Sequence, residues 1–432
     1  MAAPRAALRI ESMSGNQFNH EAGDVRAPLE IPVGNGRRND PVTLAAGLVC
    51  LVLIGVNLRP GIVSIGPLLA SISQAFGLSH TEASLLTSIP DVLMGLLALP
   101  TPWLARRFGR DRVILAALFV LFAATLGRAF AGSVAQILLL TVGVGAGLAV
   151  AGALVGGFIK AAYPARVALV MGVYAAALSF GSAVSAAASS PLAAALGSWR
   201  FGAGVWAIPC LLAIGAWLVI ENRQQAPAKS ASSRTRHDRL PLAHPKAWLI
   251  ALFFACDNFL FYSLVTWIAP LYREHGVDEA TAGLILASVP AVFVIATPVA
   301  GLFSRKADRR SVLACFSGMS AVGLLGLAMA PYAAPFLLIP LISFGIAGGF
   351  VLGMTLPLDN TRDPDEANVW NAFIITVAYL IAATGPLLVG VLRDRTGSFH
   401  APLWLLAIVG VVMLALTPFL QPKKIEQPGF QS

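Results

Sequence analysis

The sequence predicts an all-α integral membrane protein with twelve transmembrane helices, arranged as two pseudo-symmetric halves of six helices each. Three observations lead to this prediction: an apolar composition, twelve apolar windows long enough to cross a bilayer, and internal repeats offset by about 200 residues. Of the 432 residues, 57% are hydrophobic and 12% are charged, and the mean hydropathy is +0.77. Soluble domains carry about 25% charged residues, so the composition indicates a membrane protein.

Residues 1–41 precede the first apolar window and differ from the rest of the chain. They are polar and rich in glycine and asparagine, which predicts a disordered cytoplasmic tail. They lack the apolar core of a signal peptide. Met13 is an alternative start to Met1.

Apolar windows separated by loop signals predict the twelve spans. A helix rises 1.5 Å per residue, so about 20 residues cross the hydrocarbon core. The polar stretch 222–246 is predicted to be a cytoplasmic linker between an N-terminal half, 42–221, and a C-terminal half, 247–421, with a short cytoplasmic tail at 422–432. The predicted spans are 43–72, 82–104, 112–131, 134–160, 167–190, 201–221, 246–271, 281–303, 311–331, 334–357, 367–391 and 401–420.

The basic residues predict the orientation. Of the 30 Lys and Arg residues, 24 fall on the side that carries both termini and the linker, and five fall in the loops of the other side. Because positive loops stay cytoplasmic, both termini are predicted to lie inside a cell inner (plasma) membrane. These residues occupy short loops and form no basic face on a soluble domain, so the net charge of +9 does not indicate nucleic-acid binding.

Four pairs of similar segments relate the two halves in the same order along the chain. Parallel repetition of six spans is a transporter plan in which a midplane site lies between the halves. The pairs are TEASLLTSIP (81–90) with TAGLILASVP (281–290), RRFGRDRVI (106–114) with RKADRRSVL (305–313), IGPL (65–68) with IAPL (268–271), and LGSW (196–199) with TGSF (396–399).

These residues resemble a known family. RRFGRDR, with its echo SRKADRRS, resembles the cytoplasmic loop motif of the major facilitator superfamily. Five further segments resemble its cyanate and 2-nitroimidazole transporter (CynX/NimT) branch: NLRPGIVSIGPLL, IKAAYPARVALVMGVYAAALS, FYSLVTWIAPLY, TRDPDEA and AATGPLLVGVLRDRTGS. The resemblance implies a monomeric secondary transporter that moves a small solute by alternating access, without ATP or a cofactor. Asp91 and Asp257 stand where that branch is expected to carry uncharged residues, so the substrate or the coupling can differ from those of the namesakes.

Arg59 is the one charged residue between Val42 and Ala75. A central arginine costs about 2.5–3.5 kcal/mol on insertion scales, so it must face protein or a water-filled cavity. One interpretation is structural: Arg59 binds carbonyls freed by Pro60 and Gly61, or pairs between helices. The other is an anion site, because a guanidinium suits carboxylate-like groups. Proline kinks a helix where it lines a cavity, and Asn57 adds a polar neighbour.

Two carboxyl groups are predicted near mid-membrane, Asp91 in span two and Asp257 in span seven. A desolvated carboxyl can exchange a proton at working pH, which is what proton coupling requires. Asp91 is either this proton site or the counter-ion of Arg59. Asp257 has either a coupling or substrate role, or a structural hydrogen-bonding one.

Other polar and aromatic residues within the spans are candidates for the cavity lining. The repeat alignment places Tyr262 opposite Arg59, and Asn258 one turn earlier on the same side. Aromatic residues in spans also serve as packing or interface anchors, so each has a structural alternative. The further lining candidates are Tyr174, Trp370, Asn371 and Tyr379.

The motif after span two is predicted to help gate the cytoplasmic side, or simply to set topology through its positive charge. The resemblance implies that such loops latch the two halves together. The motif residues are Arg106, Arg107, Gly109, Arg110, Asp111 and Arg112. Their expected partners are Asp359, Arg362, Asp363 and Asp365 between spans ten and eleven.

Other functional classes lack sequence support. The chain carries no HExxH, nucleophile-elbow or Walker motif, and its four cysteines show no metal or disulfide spacing, so neither an enzyme nor a metal site is predicted. Among transporters, Arg59 favours a small organic or inorganic anion such as cyanate or a carboxylate. Efflux of a neutral or drug-like molecule such as a nitroimidazole is the alternative, and the sequence leaves the direction of transport open.

Overall fold

The computed structural model describes residues 41–163, 166–223, 240–303, 308–361 and 364–421. All regular structure within these ranges is helical. Eleven helical segments are long and apolar enough to cross a membrane, and one bent pair of helices brings the number to twelve, which confirms the predicted fold class. The predicted tail before Pro41, most of the linker, and the gate candidates Arg362 and Asp363 lie outside the described residues.

The described ranges contain 17 α-helices, of which ten form the first half, because several spans are broken. They are α1 (Pro41–Leu58), α2 (Pro60–Val63), α3 (Ile65–Phe76), α4 (His80–Ala98), α5 (Thr101–Phe108), α6 (Arg110–Gly127), α7 (Val134–Ala162), α8 (Val167–Ala195), α9 (Trp199–Gly204) and α10 (Ala207–Arg223).

Seven helices form the second half. They are α11 (Pro245–Glu274), α12 (Glu279–Phe303), α13 (Arg310–Met329), α14 (Pro335–Asn360), α15 (Pro364–Ala382), α16 (Thr384–Thr396) and α17 (His400–Leu416). We call the side of the bundle where α10 ends and α11 begins the linker face, and the other side the opposite face.

The first span, predicted as one helix, is broken twice, and each break has a local cause. The chain leaves α1 at Arg59, immediately before Pro60, and leaves α2 at Ser64, three residues before Pro67. Proline removes a backbone donor, so the helical hydrogen bonding is interrupted, although the backbone of Arg59 and of Ser64 stays in the right-handed helical region. Arg59 therefore sits at a break inside the first span, at the amino end of α2.

The second predicted span also differs from a straight helix. α4 and α5 meet at Leu99 and Pro100 and are bent by 62°. The motif 106–112, expected in a loop, is helical except for Gly109, which joins α5 to α6 with φ of 90°. Such a φ favours glycine. The motif is thus a tight corner between two helices.

The two halves meet along three lines of helix contact. α8 packs against α12, α4 packs against α15 and α16, and α3 packs against α11. Glycines allow the backbones to approach closely there: Gly66 lies against the Val265 carbonyl, and Gly95 lies against the Thr376 carbonyl. These contacts surround the middle of the molecule, where the predicted polar residues lie.

Candidate functional site

Arg59 lies at the boundary between the two halves. Its Nη1 donates a hydrogen bond of 2.8 Å to the hydroxyl of Tyr262 on α11. The guanidinium carbon is 5.8 Å from the centre of the Phe261 ring and 5.9 Å from that of the Tyr262 ring, within cation–π range. The side chain is only partly buried and, within the described chain, forms no ion pair. A cation with spare donors thus faces the interface.

Three tyrosines surround this cation. The Tyr262 and Tyr379 rings are 6.0 Å apart between centres, so span eleven contributes to the same cluster. Tyr174, on α8, lies within electrostatic range of Arg59 and Tyr379 and packs against Gly55 of α1. Four spans therefore contribute side chains here: one, five, seven and eleven.

Asp91 is the acidic residue of this cluster. It is fully buried, and it lies within electrostatic range of Arg59 without direct contact. Neither of its carboxylate oxygens has a hydrogen-bond partner among the described residues. A buried carboxyl without partners is costly when ionised, so this arrangement suits a group that takes up a proton.

Asp257 is also fully buried, but it lies elsewhere. Its carboxylate packs against Gly349 of α14, inside the second half, and neither oxygen has a hydrogen-bond partner in the described part of the chain. Among the described residues, no charged side chain acts on it as Arg59 acts on Asp91. The two carboxyls thus have different surroundings in the structure.

The predicted asparagines occupy different positions. Asn57 and Asn258 are both buried, and their amides donate within their own helices, to Leu53 at 3.3 Å and to Phe254 at 2.8 Å. The Asn57 Oδ1 has no partner among the described residues, so it retains an unused acceptor beside the break at Arg59. Neither side chain touches Arg59 through a hydrogen bond.

Trp370 and Asn371 lie away from the Arg59 cluster. The Trp370 ring stacks on His244 at 5.7 Å, at the linker-face end of α11. Eight residues separate Asn371 from Tyr379 on α15, a rise of about 12 Å. These two candidates therefore line the linker-face end of span eleven.

The motif residues and Asp359 are not joined in the described structure. Asp359 pairs with Arg309 at 2.7 Å, a contact within the second half. Arg110 pairs with its neighbour Asp111 at 3.2 Å, and its guanidinium lies over the Phe158 ring. The expected latch partners Arg362 and Asp363 lie outside the described residues, so the latch stays a prediction.

A second buried arginine was not singled out from the sequence. Arg128 is one of the five basic residues predicted to lie in the loops of the non-cytoplasmic side. In the structure it is fully buried, in the 3₁₀ turn after α6. Its Nη1 donates to the Gly61 carbonyl at 2.5 Å, and its Nη2 donates to the Thr141 hydroxyl at 3.0 Å. Arg128 therefore makes the carbonyl contact that the structural interpretation had assigned to Arg59.

A polar cluster closes the opposite face, and it too went unnoticed in the sequence. Asp394 accepts hydrogen bonds from the backbone nitrogens of His80 and Thr81, from the Thr81 hydroxyl at 2.6 Å and from His80 Nδ1 at 2.8 Å. Glu274 meets His80 Nε2 at 3.3 Å and Arg393 at 2.8 Å. His80 and Thr81 belong to the first half and the others to the second. The sequence offers no spacing signal for contacts over this distance.

Comparisons with known proteins agree with the fold. The model of the Major Facilitator Superfamily matches residues 46–367 and 258–432. The cyanate transport protein CynX of Escherichia coli K12 is 31% identical over 85% of this chain and 96% of its own length, and the 2-nitroimidazole transporter of the same organism is 30% identical over 86% and 93%. A crystal structure of a bacterial homolog of the human lysosomal transporter Spinster, in an inward-facing and occupied conformation, has a TM-score of 0.73 at 19% identity, covering 87% of this chain and 96% of that one.

Proposed function

The chain belongs to the Major Facilitator Superfamily and, within it, to the family of the cyanate and 2-nitroimidazole transporters, and from this premise we propose that a proton gradient drives its transport of a small anion across the membrane. It is a multi-pass membrane transporter of small molecules. Beyond this, we propose the charge of the substrate, the identity of the coupling ion and the residues that bind each of them.

The observation that carries the anion proposal is the state of Arg59. This guanidinium lies between the halves, it donates a hydrogen bond to the neutral hydroxyl of Tyr262, and no carboxylate in the described chain neutralises it by direct contact. A guanidinium offers five donors in a planar fork that matches small oxyanions and carboxylates. A substrate anion supplies the missing negative charge, and Tyr262 and Tyr379 are placed to orient it.

Asp91 is the proposed coupling residue. Its ionised form competes with the substrate for the charge of Arg59, since it acts on Arg59 through space. Protonation removes this competitor, so anion and proton bind together. Asp257 is too isolated from Arg59 to compete in this way, and we assign it a separate proton-binding role within the second half.

Alternating access is supported by the closed opposite face. His80 and Thr81 of the first half are bonded there to Asp394 of the second, and deeper in the interface the Thr266 hydroxyl donates to that of Thr87 at 2.9 Å. Rocking the halves apart requires these contacts to break. With both termini proposed to be cytoplasmic, the closed face is the outer one.

Transport of a neutral nitroimidazole is the second candidate. It is favoured by the 30% identity to the 2-nitroimidazole transporter and by the aromatic rings of Phe261, Tyr262 and Tyr379 beside Arg59. In this case Arg59 would donate to a nitro group rather than to an anion.

Thermal stability of the purified protein with a ligand panel distinguishes the two candidates. The panel is cyanate, nitrite, formate, acetate and 2-nitroimidazole. A ligand at about 100 times its Kd stabilises the folded state by about 2.7 kcal/mol. We expect one anion to stabilise the wild type and to bind Arg59→Gln about 10- to 100-fold more weakly, because charge-assisted hydrogen bonds are lost.

Arg395→Gln is the matched control. Arg395 is exposed at the opposite face, so this substitution removes the same group far from the site and should leave binding unchanged. Stabilisation by 2-nitroimidazole alone, retained in Arg59→Gln, would overturn the anion proposal.

A further inference from the structure

Arg128 is the least expected charged group in the molecule. It is fully buried, and no acidic side chain in the described chain forms an ion pair with it. Its Nε has no hydrogen-bond partner among the described residues. Burying an uncompensated charge costs several kcal/mol. The two groups to which Arg128 donates hydrogen bonds therefore indicate its role.

The first bond reaches the broken part of span one. Gly61 lies in the four-residue helix α2, between the breaks at Arg59 and Ser64. The carbonyls of the last turn of a helix have no intrahelical partner. The Pro60 carbonyl accepts from the Ser64 backbone nitrogen at 3.1 Å, and the Gly61 carbonyl accepts from Arg128. Arg128 supplies a charged donor to one of them at a place where water is excluded.

The second bond anchors this contact to a rigid helix. Thr141 is fully buried in the 29-residue helix α7, and its hydroxyl donates to the Ile137 carbonyl at 2.7 Å while it accepts from Arg128 Nη2. The planar guanidinium thus bridges α7 and α2. Gly61 also packs against Val144 of α7, and the Arg128 bridge adds a directional tie between the two helices.

Arg59 precedes Gly61 by two residues, at the amino end of the same short helix. Its carbonyl accepts from the backbone nitrogens of Ile62 and Val63, both at 3.0 Å, so Arg59 is the residue that starts α2. A rotation of α2 would move the Cα of Arg59 and, with it, the guanidinium that meets Tyr262 across the interface.

We propose that Arg128 is a positioning residue for substrate binding: by joining the Gly61 carbonyl to Thr141, it holds α2 in the orientation that presents the Arg59 guanidinium to Tyr262 and to the transported anion. The inference rests on the proposed function, because it concerns how that anion site is assembled. Arg128 itself does not touch the anion.

Two other roles make different predictions. If Arg128 acts only through its positive field, a lysine should replace it. If it serves only stability, its loss should weaken anion binding by the same factor whatever residue stands at position 59. If it positions Arg59, its effect on binding requires the fork of the Arg59 guanidinium.

A double-mutant cycle on the full chain separates these roles. The equilibrium binding of labelled cyanate, or of the panel anion that binds best, is measured for the wild type, Arg128→Met and Arg128→Lys. The same substitutions at position 128 are then measured in an Arg59→Lys background, which keeps the charge at the site but lacks the planar fork. Thermal unfolding without ligand is recorded for each variant.

We expect Arg128→Met to weaken binding about tenfold in the Arg59 background, the effect of one misplaced charge-assisted hydrogen bond. In the Arg59→Lys background the further loss should be under about twofold, because no fork remains to be misplaced. Arg128→Lys should bind nearly as weakly as Arg128→Met. The fall in unfolding temperature should be the same in both backgrounds.

If Arg128→Met weakens binding by the same factor in the Arg59 and Arg59→Lys backgrounds, the inference is overturned. Wild-type affinity in Arg128→Lys would also overturn it. Should Arg128→Met fail to fold, Thr141→Val removes the anchor and leaves the buried charge. This variant should weaken binding about threefold in the Arg59 background only. Binding that does not depend on Arg59 in the wild type would instead defeat the proposed function, whereas Arg59-dependent binding with an additive cycle would defeat only the role of Arg128.

Discussion

Asp91 and Asp257 are both buried carboxyls of the membrane interior, and their surroundings set them apart. Asp91 acts on Arg59 through space, whereas Asp257 packs against Gly349, and no charged side chain of the described ranges acts on it. A negative charge near a binding cation opposes an incoming anion, and an isolated one inside the other half does not. The two residues should therefore respond differently to the same substitution.

Asp91→Asn should strengthen anion binding and remove its dependence on pH. The expected gain is about fivefold where Asp91 is ionised in the wild type, corresponding to a relieved Coulomb interaction on the order of 1 kcal/mol. Asp257→Asn is the matched variant and should leave affinity within about twofold. Anion binding measured at a series of pH values tests both variants. Weaker binding by Asp91→Asn at every pH would show that Asp91 holds Arg59 in place instead of competing for it.

At the residue scale, the sequence was informative where a repeat related the two halves. The IGPL and IAPL alignment placed Tyr262 opposite Arg59, and the two side chains are hydrogen-bonded. Arg128 could not be found in this way, because its position after an apolar window looks like that of any loop arginine. Its partner, the Gly61 carbonyl, lies 67 residues earlier in the chain, within the interrupted part of span one. The roles of these residues in transport remain predictions.

Helices in this molecule approach most closely where glycines meet another backbone, and α8 gives an internal comparison. Gly181 faces the backbone of Val56 on α1, with no room for a Cβ atom, whereas Gly172 of the same helix faces open space. The apolar pattern predicts one span over 167–190, which contains both glycines, and does not distinguish the two positions.

Gly181→Ala should destabilise the protein by about 1–3 kcal/mol, because a methyl group there forces α1 and α8 apart. Gly172→Ala should be neutral or stabilising by up to about 1 kcal/mol, since alanine is the better helix former. Thermal unfolding in detergent compares them directly. Equal stability of the two variants would mean that the α1–α8 contact yields easily.

The spans themselves were predictable, and their breaks were only partly so. The windows fell within a few residues of the observed segments. About twenty apolar residues span the hydrocarbon core as a helix, because their backbone polar groups must be hydrogen-bonded within the segment. Prolines mark candidate breaks, but α11 runs unbroken through Pro270 whereas α1 ends before Pro60. Packing against neighbouring helices decides between these outcomes, and a single sequence does not contain that information.

For the molecule as a whole, the cluster at the opposite face links the two halves through a histidine. His80 presents one ring nitrogen to Asp394 and the other to Glu274. Ionised carboxylate oxygens only accept hydrogen bonds, so both ring nitrogens must donate, and the closed face requires an imidazolium. The other charged groups around His80 are Arg393, Arg273 in the pocket beside it and Glu82 on its own helix. Opening frees the imidazole, which ordinarily titrates near pH 6.5.

Raising the pH should therefore open the opposite face, because the closed state loses the proton that joins its two carboxylates. Spin labels at Gln74→Cys and Ser398→Cys, in a Cys315→Ala background, report the separation of the halves at that face. We expect a roughly threefold rise in the ratio of long to short distances between pH 5.5 and 8, a size typical of partly screened pairs. His80→Asn carries no titratable group and should show no such rise. An identical pH response in that variant would assign the titration to another group.

Proton-driven transport of a small anion through Arg59 can be measured as accumulation in proteoliposomes. Vesicles containing wild type or Arg59→Gln are given an acidic exterior, and uptake of the anion that binds best is followed with and without a protonophore. We expect accumulation by the wild type that collapses with the protonophore and is absent in Arg59→Gln. Equal accumulation by both proteins, or uptake by the wild type that does not depend on the pH gradient, would show that Arg59 does not serve proton-driven anion transport.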